Sequence, residues 1–438
     1  MPLDRLFALE TFGIKLGLDN ITRLCAALGH PERAFTSLHI AGTNGKGSVT
    51  AMVHASLIAG GIHAARYTSP HLVSLEERFV IGSDRVDRAA LEAVAADVLD
   101  CADRLRSDGT LQAHPTFFEA TTAIAFELFR KARVEVAVIE VGLGGRFDAT
   151  NVLTAPVGAI TSIGLDHQEY LGATLEAVAQ EKAGIIKPDM TVVTGALPEE
   201  AMRVVRRVSK ERGARVVDAS ELDVSAAIAD GEATVTIETA AHDYGPVRLG
   251  LRGEHQIGNA LVAVGVLEAL AQRGIRVAPD AVGRGLSTVE WPARLEVITL
   301  TGGARVLLDA AHNADGAHAL AAYLRRWHPE RPPLVVGVMR DKDVDGILDA
   351  LLPVTSSVVP TAADTPRAMP AQELADRVTR RTAELTGSSS CRRNVHAETD
   401  PLVAVDEALA HGSPVCVAGS IFLVGAVREG LQRRAILR

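Results

Sequence analysis

The chain has 438 residues, 47% hydrophobic and 23% charged, with a formal net charge of -9 and a pI near 5.9. That length exceeds one ordinary core, so a soluble protein of two domains is expected. The acidic balance excludes a broad nucleic-acid surface, because the basic groups are short (Arg203, Arg206 and Arg207; Arg392 and Arg393), and no stretch reaches the roughly 18 apolar residues of a membrane span.

The N-terminus, MPLDRLFALE, has early charges and no apolar signal core. Four cysteines, Cys25, Cys101, Cys391 and Cys416, form no CxxC pair. They suit reduced thiols, and a cytoplasmic location is expected.

In chain order, Ser37–Ala41 reads as a buried strand. It runs into the loop Gly42-Thr43-Asn44-Gly45-Lys46-Gly47-Ser48, and an Ala-rich helix follows from Ser48 to about Ala59. Val134–Val141 is an apolar run dense in β-branched residues and carries Glu140. Val157–Ile163 is a third run, ending near Asp166 and His167. Unbroken apolar runs separated by helical patterns indicate a parallel, doubly wound sheet. Thr234–Glu238 and Val247–Leu251 suggest a small antiparallel insert turning at Asp243-Tyr244-Gly245-Pro246. A second α/β series follows Trp291-Pro292, with strands expected at Arg305–Leu308, Leu334–Val338, Ser356–Val359 and Val415–Ala418. The boundary is placed near residues 290–300, giving domains 1–293 and 294–438. The stretch from Thr386 to Ser390 reads as a connecting loop.

Ligands in such sheets bind at the carboxyl ends of the strands. Gly42–Ser48, Glu140, Asp166-His167, Asp309-His312 and Ser420 all lie at those ends. In the glycine loop, small residues let backbone N–H groups approach phosphate oxygens, and the next helix points its positive end at them. Lys46 reaches terminal phosphates, while Ser48 faces magnesium or phosphate. The match to GxxxxGK[ST] is imperfect, because Gly47 separates Lys46 from Ser48 and Ile40 replaces the first Gly. Glu140 suits Mg²⁺ as an oxygen donor, with a simply solvated strand-end carboxylate equally open. His167 beside Asp166 leans toward a site role, although His is an unusual Mg²⁺ ligand. Lys182, in Glu181-Lys182-Ala183-Gly184, reads as a surface lysine. Arg294 suits either a nucleotide phosphate or an interdomain salt bridge. Asp309, His312 and Asn313, like Asp341-Lys342-Asp343, suit a cleft or ordinary helix capping.

These stretches together resemble the folylpolyglutamate synthase and dihydrofolate synthase family, a branch of the Mur ligases. The likeness runs from Phe12-Gly13-Ile14-Lys15-Leu16-Gly17 to Gly419-Ser420. It includes His39–Ser48 with its extra Gly47, Ser69-Pro70-His71-Leu72 with Glu77-Arg78, and Glu140 through Asn151. The phosphate loop starts at Gly42, leaving no room ahead of it for the UDP-sugar domain of muropeptide ligases. A regulatory NTPase would need no second α/β domain.

The resemblance implies an N-terminal phosphate-loop ATPase domain and a C-terminal Rossmann-like α/β domain. It implies ATP, two Mg²⁺ ions and a K⁺ ion as cofactors. Ser69, Glu140 and His167 would hold magnesium, and Lys182 would be carbamylated. Asn259, Arg294 and Asp309 would contact ATP, while His312 and Ser420 would lie near the incoming glutamate. Thr116, Phe118 and Asp148 resemble pteroate-binding residues, an aromatic face plus an Asp suiting a pterin. The implied partners are dihydropteroate, folates and L-glutamate for a bifunctional member, or folates and L-glutamate alone for a folylpolyglutamate synthase that only lengthens the tail, joined through an acyl phosphate by a monomeric cytoplasmic enzyme.

Overall fold

The computed structural model describes residues 2–13, 15, 17–386 and 395–436. The expected loop at Thr386–Ser390 lies outside them apart from Thr386, as do Ile14, Leu16, Cys391, Arg392 and Arg393. The chain divides into two compact units. One comprises Met1–Ala227, Thr234–Gly250 and Gln256–Val289, and the other Ile228–Ala233, Leu251–His255 and Glu290–Arg438. The main switch thus falls between Val289 and Glu290, and two short stretches ahead of it also group with the second unit.

The first unit is built on eight strands: β1 Thr36–Ala41, β2 Ala64–Tyr67, β3 Phe79–Ile81, β4 Asp84–Arg85, β5 Val136–Glu140, β6 Val157–Ile160, β7 Thr191–Thr194 and β8 Arg215–Asp218. Their order is β4-β3-β2-β5-β1-β6-β7-β8. β2, β5, β1, β6, β7 and β8 run parallel, while β3 and β4 are antiparallel additions. Every residue of β5 and β6 is buried, as the unbroken apolar runs require. Each buried Val, Leu or Ile contributes about 1.5–3 kcal/mol, so this sheet anchors the unit. One apolar cluster gathers Leu6, Tyr67, Phe79, Phe126 and Ile139. A second gathers Ala41, Ile160, Val178, Ile185 and Val205.

Register positions the site. Ile40 on β1 pairs with Glu140 on β5, and Ala41 pairs with Ile160 on β6. The ends of β5, β1 and β6 therefore bring Glu140, Gly42 and Thr161 side by side. The order departs from sequence order at β1, the kind of switch point where a crevice opens.

Three further strands, β9 Asp223–Ala229, β10 Glu232–Glu238 and β11 Asp243–Arg248, form a sheet ordered β11-β10-β9. β10 and β11 are antiparallel, as expected, but the turn is elsewhere. Asp243-Tyr244-Gly245-Pro246 lies within β11. The reversal is at Thr239–His242, closed by Thr239 N donating to His242 O at 3.0 Å. Pro246 is tolerated because β11 is an edge strand, where a missing N–H breaks no ladder.

The second unit carries β12 Glu296–Thr299, β13 Arg305–Leu308, β14 Leu334–Val336, β15 Val358–Pro360 and β16 Val415–Ala418, ordered β12-β13-β16-β14-β15. β12 is antiparallel to β13 and the other pairs are parallel. Its core includes Leu307, Leu324, Val336, Leu348, Leu374 and Ala418. β14 stops two residues short of the expected Val338, whose carbonyl instead accepts from Met369 N.

Candidate nucleotide and acceptor site

The helix after the glycine loop starts at Lys46, two residues earlier than expected, with Gly45 as its N-cap at φ +84°. Gly47 is therefore a first-turn helical residue, and Ser48 is buried behind it. Gly42 has φ +151°, and a Cβ there would collide with the Thr161 hydroxyl. At Gly45 a Cβ would stand 2.5 Å from Asn259 Oδ1. Side chains are thus excluded on both sides of the loop, which lets a phosphate approach the backbone. Asn259 lies against the loop, its Nδ2 donating to Gln256 Oε1 at 2.9 Å. Thr43 Oγ1 accepts from Gly164 N and donates to Gly164 O, both at 3.0 Å. Asn44 N donates to Ser162 Oγ at 2.8 Å, while Thr161 and Ser162 hydroxyls donate to Asn44 O at 2.6 and 3.0 Å. Those two hydroxyls brace the loop, a role the sequence signalled only as polar residues ending a strand beside β1.

Lys182 is 4% exposed, so it is not the surface lysine its local sequence suggested. Its Nζ donates to Gly42 O at 2.9 Å, and Lys46 Nζ donates to the same oxygen at 3.1 Å. Two amines thus converge on one carbonyl. Burial, reinforced by the charge on Lys46, pulls the Lys182 amine down to about 7 against the opposing pull of Asp166 and Asp148. The arrangement favours an incoming anion, because like charges in a low-dielectric setting gain most from a counter-charge.

Glu140 ends β5 with 5% exposure, and its Oε2 accepts from Ser69 N at 3.3 Å. His167 sits in the left-handed region (φ 49°) ahead of the short helix Gln168–Leu171, its Nε2 3.9 Å from Asp166 Oδ2. Asp166 acts electrostatically on Lys182, which links this loop to the phosphate loop. The Glu140 carboxylate and Ser69 hydroxyl are hard oxygen donors that fit Mg²⁺, and the His167 imidazole is the less usual member of the set. Among the described residues, the group of three potential His or carboxylate ligands within 4.8 Å of one another is elsewhere, at His396, Glu398 and Glu407.

The three candidate acceptor residues each hold local structure. Thr116 N-caps the helix Phe117–Ala132: its Oγ1 accepts from Glu119 N at 3.1 Å, and Glu119 Oε2 accepts from Thr116 N at 2.7 Å. Phe118 stacks on Tyr67 with ring centroids 6.2 Å apart. Asp148 is buried, and its carboxylate accepts from Leu143 N at 2.8 Å, Thr150 N at 3.0 Å and the Thr150 hydroxyl. Burial raises the Asp148 carboxyl, and those hydrogen bonds oppose the shift. Thr150 Oγ1 also meets Nε2 of the fully buried His39 at 2.8 Å, a support the sequence did not reveal.

In the second unit, Asp309 follows β13 and is 7% exposed. Its carboxylate accepts from Leu295 N at 3.0 Å and Ala311 N at 2.9 Å. Arg294 stands between Ala293 (φ 59°) and Leu295 (φ 50°), two non-glycine residues in the left-handed region. Asp309 thus clamps a strained turn that presents Arg294. Burial raises the Asp309 carboxyl, with the charges of Arg294 and His255 opposing. His312 Nδ1 donates to Ala310 O at 2.9 Å. Asn313 caps the helix Ala314–Trp327, Asp343 caps the helix Val344–Leu351, and Ser420 Oγ accepts from Phe422 N at 3.2 Å.

The Mur ligase middle domain family matches residues 40–267, and the Mur ligase glutamate ligase domain family matches residues 293–421. The chain is 38% identical to the dihydrofolate synthase/folylpolyglutamate synthase of Mycobacterium tuberculosis, over 94% of this chain and 89% of that one. The chain belongs to this family of Mur ligases. A crystal structure of Mycobacterium tuberculosis folylpolyglutamate synthase complexed with ADP and AMPPCP superposes with a TM-score of 0.89 at 36% identity, covering 98% of this chain and 99% of that one. Escherichia coli FolC in complex with DHPP and ADP superposes at 0.85 with 28% identity, covering 99% and 98%.

Within the Mur ligase framework, the first unit brings together Gly42–Ser48, Lys182 and Asn259, with Glu140 and its partner Ser69 at the end of the neighbouring strand β5. Arg294 and Asp309 meet in the second unit. Thr116, Asp343 and Ser420 act locally as caps. Among the described residues no helix is long and apolar enough to cross a membrane.

Proposed function

We propose that this Mur ligase uses ATP to join L-glutamate to dihydropteroate and to the γ-carboxylate of folates. The observation that carries the reading is the convergence of Lys46 and Lys182 on Gly42 O at the mouth of a glycine loop. The names of the relatives support both activities. Thr43, Asn44, Gly45, Gly47 and Ser48 cradle the phosphates with Lys46, and Asn259, Arg294 and Asp309 hold the rest of ATP. Ser69, Glu140 and His167 would hold magnesium, which would supply positive charge against the transferring phosphoryl group. A potassium ion rests on the family resemblance alone.

The acceptor lies along Thr116, Phe118 and Asp148. Its carboxylate attacks the γ-phosphorus of ATP, giving an acyl phosphate and ADP. The glutamate amine, placed near His312 and Ser420, attacks the acyl carbon and phosphate leaves. Lys46 stabilises the charge that develops during transfer. The neutral Lys182 amine takes up CO₂ and loses a proton, becoming a carbamate. That change replaces an uncharged amine beside Lys46 with an anion that attracts it. The enzyme acts as a cytoplasmic monomer; Cys25, Cys101 and Cys416, free and buried, suit a reducing compartment.

The test is ATP turnover. Dihydropteroate and glutamate together should stimulate phosphate release well above either alone. Turnover indifferent to both would leave only a nucleotide hydrolase.

A further inference from the structure

The second unit carries a cluster of metal-ligating side chains that the assignments above leave unused. One donor atom from each of His396, Glu398 and Glu407 lies within 4.8 Å of the other two. Two anchored elements supply them. Val395 bridges to Val358 in parallel, and Glu398 N donates to Pro360 O at 3.0 Å, so residues 395–398 run alongside β15. Residues two apart on such a segment share a side, which groups His396 with Glu398. Glu407 comes from the helix Pro401–Leu409, whose Ala404, Val405 and Ala408 are buried. Asp400 fixes the start of that helix, its carboxylate accepting from Leu402 N at 2.7 Å and Val403 N at 3.2 Å. Glu398 Oε1 in turn accepts from Asp400 N at 2.8 Å, which orients the Glu398 carboxylate.

The two glutamates differ from their neighbours in charge pairing. Asp406, one position from Glu407, pairs with Arg434 at 2.8 Å. Glu398 and Glu407 make no ion pair among the described residues. Both are half-buried, and His396 is exposed. Two carboxylates and an imidazole that converge with no basic side chain among them are the donor set of a divalent cation. The imidazole favours a first-row ion such as Zn²⁺ over Mg²⁺ or Ca²⁺, which take oxygen donors. Bonds of about 2.0–2.2 Å put the donors of a tetrahedral Zn²⁺ about 3.4 Å apart. Side-chain rotation closes the observed spacing to that value.

We propose that His396, Glu398 and Glu407 form a divalent-cation site of the zinc type, with water completing the coordination. The ion cross-links residues 395–398 to the helix Pro401–Leu409, and so acts as a structural staple within the second unit. The inference is independent of the ligation assigned above.

The test is a calorimetric titration of the full chain with Zn²⁺, with the nucleotide site saturated beforehand by Mg²⁺ and AMPPCP. The wild type should bind one equivalent of Zn²⁺ that is weakened about 10-fold or more in His396→Ala and in Glu407→Gln. Zn²⁺ should also raise the thermal unfolding temperature of the wild type more than that of either variant. Asp406→Asn removes a neighbouring charge that is already paired, and should bind Zn²⁺ as the wild type does. His396 is exposed, so its replacement keeps the test decisive if the glutamine variant does not fold. Binding in His396→Ala equal to that of the wild type overturns the inference. Equal weakening in Asp406→Asn overturns it too, because diffuse surface charge then accounts for the binding.

Discussion

Lys182 offers the sharpest test of the site chemistry. Its amine is held near 7 by burial and by Lys46. At about pH 7.4 roughly 70% of such amines are neutral, against about 0.1% for an ordinary lysine, a gain of several hundredfold in the form that reacts with CO₂. The sign follows from the lowered value: the neutral form dominates above about 7 and is lost tenfold per pH unit below it. Uptake of isotopically labelled bicarbonate at Lys182, followed by carbon NMR, should therefore fall as the pH drops through 7 towards 5. Lys182→Ala removes the amine and opens space in a fully buried position. We expect kcat/KM to fall by about 100-fold or more, and short carboxylates such as acetate to restore part of it. Full activity of Lys182→Ala without additives refutes the carbamate role.

The other outcomes concern neighbouring parts of the site. Lys46→Ala should abolish ligation while leaving thermal unfolding unchanged, because its half-buried amine bonds only loop carbonyls; a folded variant with near-normal turnover contradicts the loop assignment. Gly142→Ala places a Cβ 2.5 Å from Phe118 Cζ, so the ring must shift, and KM for the pteroate acceptor should rise more than KM for ATP. Thr116→Ala removes a helix cap and should lower stability by about 1 kcal/mol in chemical denaturation. If KM for the acceptor stays the same in that variant, Thr116 is a cap alone.

Where apolar runs were long and unbroken, the sheet was legible. β1, β5, β6, β13 and β16 stand within two or three residues of their expected limits. β2, β7 and β12 read Ala-Ala-Arg-Tyr, Thr-Val-Val-Thr and Glu-Val-Ile-Thr, so a polar or charged residue interrupts each apolar run and none stands out as a buried strand. The Gly245-Pro246 pair signalled a turn, and edge position overrode that signal. In the site, the glycine loop announced itself through residue types at close spacing. Lys182 did not, because its burial arises from packing between distant segments, with Gly42 lying 140 residues away in sequence. The bracing hydroxyls of Thr161 and Ser162 and the His39–Thr150–Asp148 chain are likewise products of strand register. Thr116, Asn313 and Asp343 show the opposite case, where helix capping accounts for a polar residue at a strand or loop end.

Amide formation is the decisive readout of glutamate ligation. Purified protein would be incubated with ATP, magnesium and L-glutamate, with either dihydropteroate or tetrahydrofolate, and the products resolved by mass. One added glutamate is expected on dihydropteroate and at least one on tetrahydrofolate, each with ADP and phosphate. ATP consumption with no amide product from either acceptor contradicts glutamate ligation.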